Sequence, residues 1–379
     1  MPVLARAPKR KRPAQDGGER AYAYAKACGI IGKSFVGKRI PQLARLNSLA
    51  ELDRLVFSEV LRELPGRELL ADLEKRILRR TVEHILAVVD SFSSPPDLLV
   101  LQLRSCEYAD LKTCLYHISS GRQAPPLLSD IGRFRTVRFE AYPDPARMLA
   151  GTEFESILSK YYRSIKTPGF DLTPLEAELD LHYYTRLSGS LRRLSVSDRF
   201  YAQRILAEEI SLRNCVWALR LRSYFRKKPE ETAGYLMNLK IPARLYGTAP
   251  IPGGIRPRSS ASQASSGREI SLAAEALQSL QFPLDSRPAW KNWRWERFLN
   301  PQGADEMWAA DPRHFQNAAS RYIYSLSMRC FRQAPFSISS SYCYIKLKQF
   351  EEDLLTSVTE GLALQMTGKD VFDLTGAPL

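Results

Sequence analysis

The residues with the most direct chemical meaning lie near the N-terminus, at residues 27–34, which read Ala-Cys-Gly-Ile-Ile-Gly-Lys-Ser. This spacing matches a relaxed phosphate-binding loop, with alanine in place of the first glycine. In such a loop, backbone N–H groups surround the β-phosphate, a lysine such as Lys33 contacts the β- and γ-phosphates, and a serine such as Ser34 binds Mg²⁺. The loop requires a buried strand before it, but residues 20–26 have high helix propensity and charges at both ends. No apolar strand ending in aspartate stands out as a Walker B partner. The pattern therefore favours a long first helix, and nucleotide binding stays an alternative.

Other residue types with catalytic potential are poorly arranged for chemistry. The four histidines are scattered, and neither a Cys-x-x-Cys nor a His-Glu-x-x-His spacing occurs. The adjacent carboxylates at 208–209 and 351–352 have the residue type for general acid–base catalysis. Neighbours on a helix point about 100° apart, so these pairs are more typical of helix-surface charges. A Gly-x-Ser-x-Gly elbow is absent. The sequence thus predicts no catalytic, cofactor-binding or metal-binding residues.

The strongest pattern in the sequence is an apolar helical stripe that occurs twice. It occupies positions i, i+3, i+4 and i+7, which share one face of an α-helix. The four positions are Leu111, Cys114, Leu115 and Ile118 in the earlier copy, and Leu212, Cys215, Val216 and Leu219 in the later copy. A shift of 101 residues superposes Glu107 on Glu208, Leu111 on Leu212, Lys112 on Arg213, Thr113 on Asn214 and Cys114 on Cys215. The two stretches are called the signature helices below.

A second landmark supports a duplication. The pattern Leu-Glu-x-x-Ile at residues 73–77 pairs with Leu-Glu-x-x-Leu at residues 175–179, at nearly the same distance from its signature. Two landmarks that keep their order and spacing predict a duplicated helical unit.

A third copy is predicted near the C-terminus, at residues 350–356, with Asp353 placed over Asp110. A register shifted by one residue is the alternative, because it gives a better apolar stripe of Leu355, Val358 and Leu362. Residues 296–299 are the candidate for the earlier landmark of this copy.

Composition places the chain among globular proteins. Of 379 residues, 44% are apolar and 25% are charged, which is typical of soluble domains. No apolar run reaches the roughly eighteen residues of a membrane span, and the N-terminus lacks the apolar region of a signal peptide. Cys114 and Cys215 fall on apolar helix faces, which predicts reduced core residues in a cytosolic protein.

The formal net charge of +14 indicates a nucleic-acid partner, an acidic protein partner, or only a basic soluble protein. The run Lys9, Arg10, Lys11 and Arg12 has the composition of a segment that contacts nucleic acid or acidic lipid. A solvated tail is the favoured interpretation of this run. The other basic residues are spread along the chain without an RNP, KH or zinc-finger pattern. A basic helical nucleic-acid-binding protein therefore stays a second alternative.

Proline- and glycine-rich breaks divide the chain into five segments. They are a disordered basic tail at 1–18, a first helical repeat at 19–126, a second at 127–241, a Pro/Gly/Ser-rich linker at 242–268 and a third repeat at 269–379. Residues 127–171 are ambiguous, because residues 136–139 have the composition of a short strand within a helical chain, and residues 269–280 have the pattern of a helix. Strand signals are few elsewhere, so the predicted fold class is all-α.

The recurring element acid-x-x-[Asp/Ser]-Leu-[Lys/Arg]-[Thr/Asn] resembles the signature of the C-type subunit of V-type and A-type ATP synthases, the counterpart of the d-type subunit of the eukaryotic pump. Residues 22–27, Tyr-Ala-Tyr-Ala-x-Ala, resemble the start of that family's first helix. Residues 335–338 resemble its Pro-Phe-Gly element, with Ser337 where glycine is usual. The resemblance extends from about residue 22 to residue 364. The basic tail, the segment near residue 250 and the two cysteines of the signature helices depart from the family pattern.

This resemblance implies three pseudo-repeated helical units arranged as a funnel. It implies a non-catalytic rotor adaptor that lies at the inner, cytoplasmic face of the membrane on the proteolipid ring, receives the central-stalk subunits and needs no cofactor. Its role would be mechanical coupling of the stalk to proton or sodium transport, in the direction of synthesis or of pumping, with no nucleic acid involved. The candidate stalk contacts are polar residues that recur off the apolar stripe: Asp110, Lys112, Arg213, Asn214 and Asp353. The competing interpretation makes such residues hydrogen-bond partners between helices.

Overall fold

The computed structural model describes residues 13–58, 64, 66–167, 169–242, 269–303 and 307–375. In these ranges the chain is predominantly helical and has one two-stranded sheet, so the predicted all-α class is confirmed.

Long helices alternate with short ones along the chain. The first part contains α1 (Pro13–Lys33), α2 (Ile40–Leu43), α3 (Leu49–Phe57), α4 (Gly66–Val89), α5 (Asp97–Leu103) and α6 (Ser105–Ser119). The middle part contains α7 (Pro145–Leu149), α8 (Glu155–Leu158), α9 (Thr173–Leu191), α10 (Val196–Ser223), α11 (Pro229–Ala233) and strand β1 (Lys240–Pro242). The last part contains strand β2 (Glu269–Ser271), α12 (Ala274–Ser279), α13 (Pro312–Gln333), α14 (Ile338–Ala363) and α15 (Gly368–Thr375).

Short polar side chains fix the points where three of the long helices begin. Ser195 accepts a hydrogen bond from Asp198 N at the start of α10, and Ser337 accepts one from Ser340 N at the start of α14. At the start of α13, Asp311 caps in the same way. Each cap satisfies a backbone N–H that has no partner inside its helix.

Helices α1, α10 and α14 begin at one end of the molecule and run in the same direction. Asp198 accepts hydrogen bonds from the Arg20 guanidinium at 2.8 Å and from Ile338 N at 3.1 Å. The Ser93 hydroxyl bonds Glu19, and Arg193 pairs with Asp97. These contacts bring together the start of α1 and the connections at 90–97, 192–197 and 334–337, which we call the turn end.

Helix α14 lies at the centre of the molecule. It packs against α1, α4, α10 and α13, and most of its residues are buried. The apolar stripes of the signature helices α6 and α10 also lie in the core, with Leu111, Cys114 and Cys215 fully buried. The predicted burial of both cysteines is confirmed.

Three local predictions need correction. Helix α1 begins at Pro13, so residues 13–18 are helical rather than part of the tail, and the Asp16–Arg20 ion pair at i,i+4 supports this turn. Residues 136–139 form no strand, because the N–H groups of Thr136 and Val137 bond a side chain of α6 instead of a neighbouring strand.

The third correction concerns residues 269–280. Their first part is β2, which pairs antiparallel with β1 through Ile241 and Ile270, and only then does α12 begin. Most of the predicted tail (1–12) and most of the predicted linker (243–268) lie outside the described residues.

Candidate functional site

Each of the two signature helices carries a glutamate that is buried against a cation. Glu107 of α6 is 1% exposed, bonds the Arg104 guanidinium at 2.7 Å and accepts the Val137 N–H at 2.7 Å. Glu208 of α10 is also 1% exposed and accepts both of its bonds, at 2.7 and 2.8 Å, from Arg294. Both carboxylates therefore attach a signature helix to the segment that covers it.

Helix α14 has a third such glutamate. Glu351 is 1% exposed, accepts the Phe35 N–H at 2.7 Å, bonds Lys348 and lies 3.7 Å from Arg80. Burial alone would raise the pKa of the Glu351 carboxyl, but Lys348, the Phe35 N–H and Arg80 outweigh burial and lower it. Glu208 and Glu351 are thus buried, so the interpretation of these pairs as helix-surface charges is wrong for both residues.

The burial pattern after Glu351 bears on the register of the predicted third copy. Leu355, Val358 and Leu362 are at most 3% exposed, as are the matching residues after Glu208. This pattern agrees with the register that aligns Glu351 with Glu107 and Glu208, and not with the register that aligns Asp353 with Asp110.

A second set of charged residues lies on α6, α9, α10 and α14 and includes two cations that reach solvent. Asp180 of α9 accepts a bond from Lys112 of α6 at 2.7 Å and lies 3.3 Å from the Arg213 guanidinium of α10. The Lys112 side chain is 20% exposed and the Arg213 side chain 42% exposed. Burial favours a raised pKa for Asp180, but Arg213 and Lys112 together lower it.

The set continues onto α14. Glu209 of α10 accepts the Tyr184 hydroxyl at 2.8 Å and pairs with Lys346 of α14 at 2.7 Å. We call this set the charged network; its members are Lys112, Asp180, Tyr184, Glu209, Arg213 and Lys346. It connects α6, α9, α10 and α14; Lys112 and Arg213 reach solvent, whereas Asp180 and Tyr184 are buried.

Asp353 lies on α14 beyond Lys346, and it is exposed. The surrounding protein raises the pKa of its carboxyl to about 6, although Lys346 acts in the opposite direction. For the neighbouring Glu352, burial and the charge of Asp353 raise the pKa to about 8.

The five predicted contact residues separate into two groups. Asp110 accepts bonds from Ser129 N at 2.9 Å and Ser129 Oγ at 3.1 Å. Asn214, 1% exposed, bonds the backbone of Met237 and Leu272. The polar atoms of both side chains are used inside the protein. Lys112, Arg213 and Asp353 are the three candidates that present charge to solvent, and the first two meet at Asp180.

Asp180 and Lys346 were not identified from the sequence, and Glu209 was noted only as part of an adjacent pair of carboxylates. The only signal for Asp180 was its place one helical turn after the Glu176 landmark. Charges that converge from different helices carry no shared spacing in the sequence, so no signal connected Glu209 with Lys346.

The phosphate-loop hypothesis fails on geometry. Residues 27–33 are the last part of helix α1, so their backbone N–H groups lie in helical hydrogen bonds instead of a loop. Lys33 is exposed, and the buried Ser34 donates to Ile30 O and accepts a bond from Lys348 Nζ at 3.1 Å. This segment has no cradle for a phosphate group.

None of the helices in the described part of the chain is both long and apolar enough to cross a bilayer.

Comparison with known proteins gives two matches. The family model for the ATP synthase (C/AC39) subunit matches residues 32–242, more than half of the chain. An uncharacterized protein of Treponema pallidum (strain Nichols) is 26% identical over 345 residues, which cover 89% of this chain and 91% of that protein. The family match includes both signature helices and the charged network apart from Lys346.

Proposed function

We propose that this chain, which belongs to the ATP synthase (C/AC39) subunit family, is a non-catalytic rotor adaptor. Membership of the family implies that the chain is a subunit of a V/A-type ATPase. In the proposed role it couples the central stalk to the membrane proteolipid ring, and so to the transport of protons or sodium ions. It would be a peripheral subunit at the inner face of the membrane.

The charged network is the observation that supports the stalk contact. Lys112, Arg213 and Lys346 come from three different helices and converge on Asp180 and Glu209. A partner that binds over this network contacts Lys112 of α6 and Arg213 of α10, and the Glu209–Lys346 pair links α10 to α14. Torque applied there is distributed to the whole molecule rather than to one helix.

Asp353 extends this surface. Because it is exposed and has no ion-pair partner among the described residues, it is available to a cation of the partner. The surrounding protein raises the pKa of its carboxyl by partly removing water from the charge, and a cationic contact would compensate that charge. We therefore expect the stalk segment over Asp353 to be basic.

The buried glutamates support the mechanical part of the proposal. A transmission element must not deform between its two partners. Glu208 ties α10 to a distant segment through its buried pair with Arg294, while Glu107 and Glu351, each paired with a cation one turn away, accept backbone N–H groups of other segments. Such pairs are costly to break, by about 3–5 kcal/mol when one partner is removed. In our proposal these three ties mark equivalent points of three helical units at 19–126, 127–241 and 269–379.

The nucleotide alternative loses its support because residues 27–33 are helical. No observation in the described residues favours the nucleic-acid alternative over the adaptor.

A charge-reversal pair tests the stalk contact. We expect Lys112→Glu with Arg213→Glu to stay folded and to join the complex, while ATP hydrolysis by the reconstituted ATPase proceeds uncoupled from ion transport. The matched control is Arg79→Glu with Arg147→Glu, since both of these side chains are more than 70% exposed and lie away from the network. The control should keep full coupling.

Asp353→Lys provides a second test that breaks no ion pair. It should weaken the association with the purified stalk subunits without lowering the melting temperature. Full coupling in both the charge-reversal pair and Asp353→Lys would exclude the network as the stalk contact. A wild-type protein that never associates with stalk or ring subunits would exclude the adaptor itself.

A further inference from the structure

The turn end presents aromatic and cationic side chains to solvent. Phe336 is 55% exposed and Phe200 is 45% exposed, in a protein whose other large side chains are mostly in the core. Arg192 and Arg332 are exposed at the same end. These residues belong to the α9–α10 connection, the first turns of α10 and the α13–α14 connection.

The backbone holds Phe336 in place on this surface. Its φ of 60° lies in the left-handed region, which is rare for a bulky side chain. The ring packs edge-on against Tyr24 of α1, with 5.2 Å between centroids. A strained residue persists where its surroundings fix it, and it often marks a functional surface.

Positive charge at the turn end is only partly compensated. Asp198 is buried and taken by Arg20, which also pairs with Asp16. Asp97 pairs with Arg193, Asp90 pairs with Arg133, and Glu19 accepts the Ser93 hydroxyl. Arg192, Arg199 and Arg332 have no carboxylate partner among the residues that the structure describes. Guanidinium groups without a carboxylate are free to bind phosphate in a two-pronged geometry.

We infer that the turn end lies on the anionic headgroups of a lipid bilayer. The arginines contact lipid phosphates, and the Phe336 and Phe200 rings enter the interfacial layer, where aromatic side chains are stable. The inference rests on the proposed function, which puts the chain beside a membrane. It also orients the molecule, because the charged network lies farther along α10 and α14 and is then farther from the bilayer than the turn end is.

Binding to lipid vesicles tests this surface directly. The purified full-length chain is floated with vesicles of phosphatidylcholine, alone or with phosphatidylglycerol. We expect binding only to the anionic vesicles, and a loss of binding as salt is raised. The variant Arg192→Gln, Arg332→Gln and Phe336→Ser should bind them more weakly by roughly tenfold or more.

The opposite end supplies a matched control. Arg220→Gln, Arg226→Gln and Phe225→Ser remove the same charge and one ring from exposed positions after the network on α10. This variant should bind as wild type does. Every variant keeps the basic run at 9–12, so equal binding by all three proteins would assign the affinity to that run or to net charge and would overturn the inference.

Association with stalk and ring subunits in native membranes is scored separately. A wild-type chain that joins the complex but ignores anionic vesicles overturns the lipid contact and leaves the adaptor standing. A chain that binds vesicles through the turn end but never joins the complex overturns the adaptor and leaves the lipid contact standing.

Discussion

The buried glutamates and the charged network use the same chemistry on the same helices with different consequences. Glu208 and Glu209 are neighbours on α10, yet Glu208 is 1% exposed while the Glu209 side chain, which belongs to the network, is 17% exposed. A buried ion pair that loses one partner leaves an uncompensated charge, whereas an exposed pair is replaced by water. Burial, and not residue type, therefore decides which pairs stabilise the fold and which are available to a partner.

The largest effect on stability is expected when a charge is added to the buried face of a helix. Cys215→Asp puts a carboxylate without a partner among fully buried neighbours, which costs on the order of several kcal/mol and should unfold its helical unit. Circular dichroism on heating measures the loss. The control is Cys28→Asp, because Cys28 is exposed. If both variants have the melting temperature of the wild type, the buried face of α10 is assigned wrongly.

Removing one partner of a buried pair should have the next largest effect. Glu351→Ala leaves Lys348, itself 1% exposed, without its carboxylate, and should lower the free energy of unfolding by about 3–5 kcal/mol in urea denaturation. The double variant Glu351→Met with Lys348→Met should recover much of this loss. If the double variant is as unstable as the single one, packing and not charge compensation is what Glu351 provides.

The network should respond much less. Arg213→Gln removes a side chain that is 42% exposed, so we expect a change in the free energy of unfolding of about 1 kcal/mol or less. Measured beside Glu351→Ala, this variant sharpens the contrast between the two sets. If Arg213→Gln lowers the free energy of unfolding as much as Glu351→Ala does, Arg213 stabilises the fold in the way that the buried charge pairs do.

The smallest effect concerns pH. The folded-state pKa of Asp353, about 6, lies above its ordinary value. A raised carboxyl pKa means that the native state binds more protons, so the native state is destabilised as pH rises through this range. Asp353→Asn should therefore melt slightly above the wild type at pH 7.5, and the two proteins should converge near pH 4. A difference in melting temperature that does not vary with pH would contradict the raised pKa of Asp353. Glu352→Gln is measured in the same way as a comparison for the neighbouring carboxyl.

The sequence indicated the helices well because their information is local. The stripes around Leu111 and Leu212 repeat every 3.6 residues, and both are buried as expected. Lys112 and Arg213 were identified because they recur at equivalent places, and the structure brings them to one carboxylate. The local pattern failed at residues 136–139, where a buried glutamate of another segment takes the N–H groups that a strand would use.

What the sequence determined by itself is the all-α class, the periodic core faces and the family resemblance, since each of these depends on the order and spacing of nearby residues. Only the tertiary structure decided that Glu208 is buried and Glu209 is not, that Asp110 and Asn214 are used internally, and that Lys346 completes the network. The physical reason is that burial and ion pairing depend on which distant segment covers a helix. That information is shared between residues such as Glu208 and Arg294, which no local pattern connects.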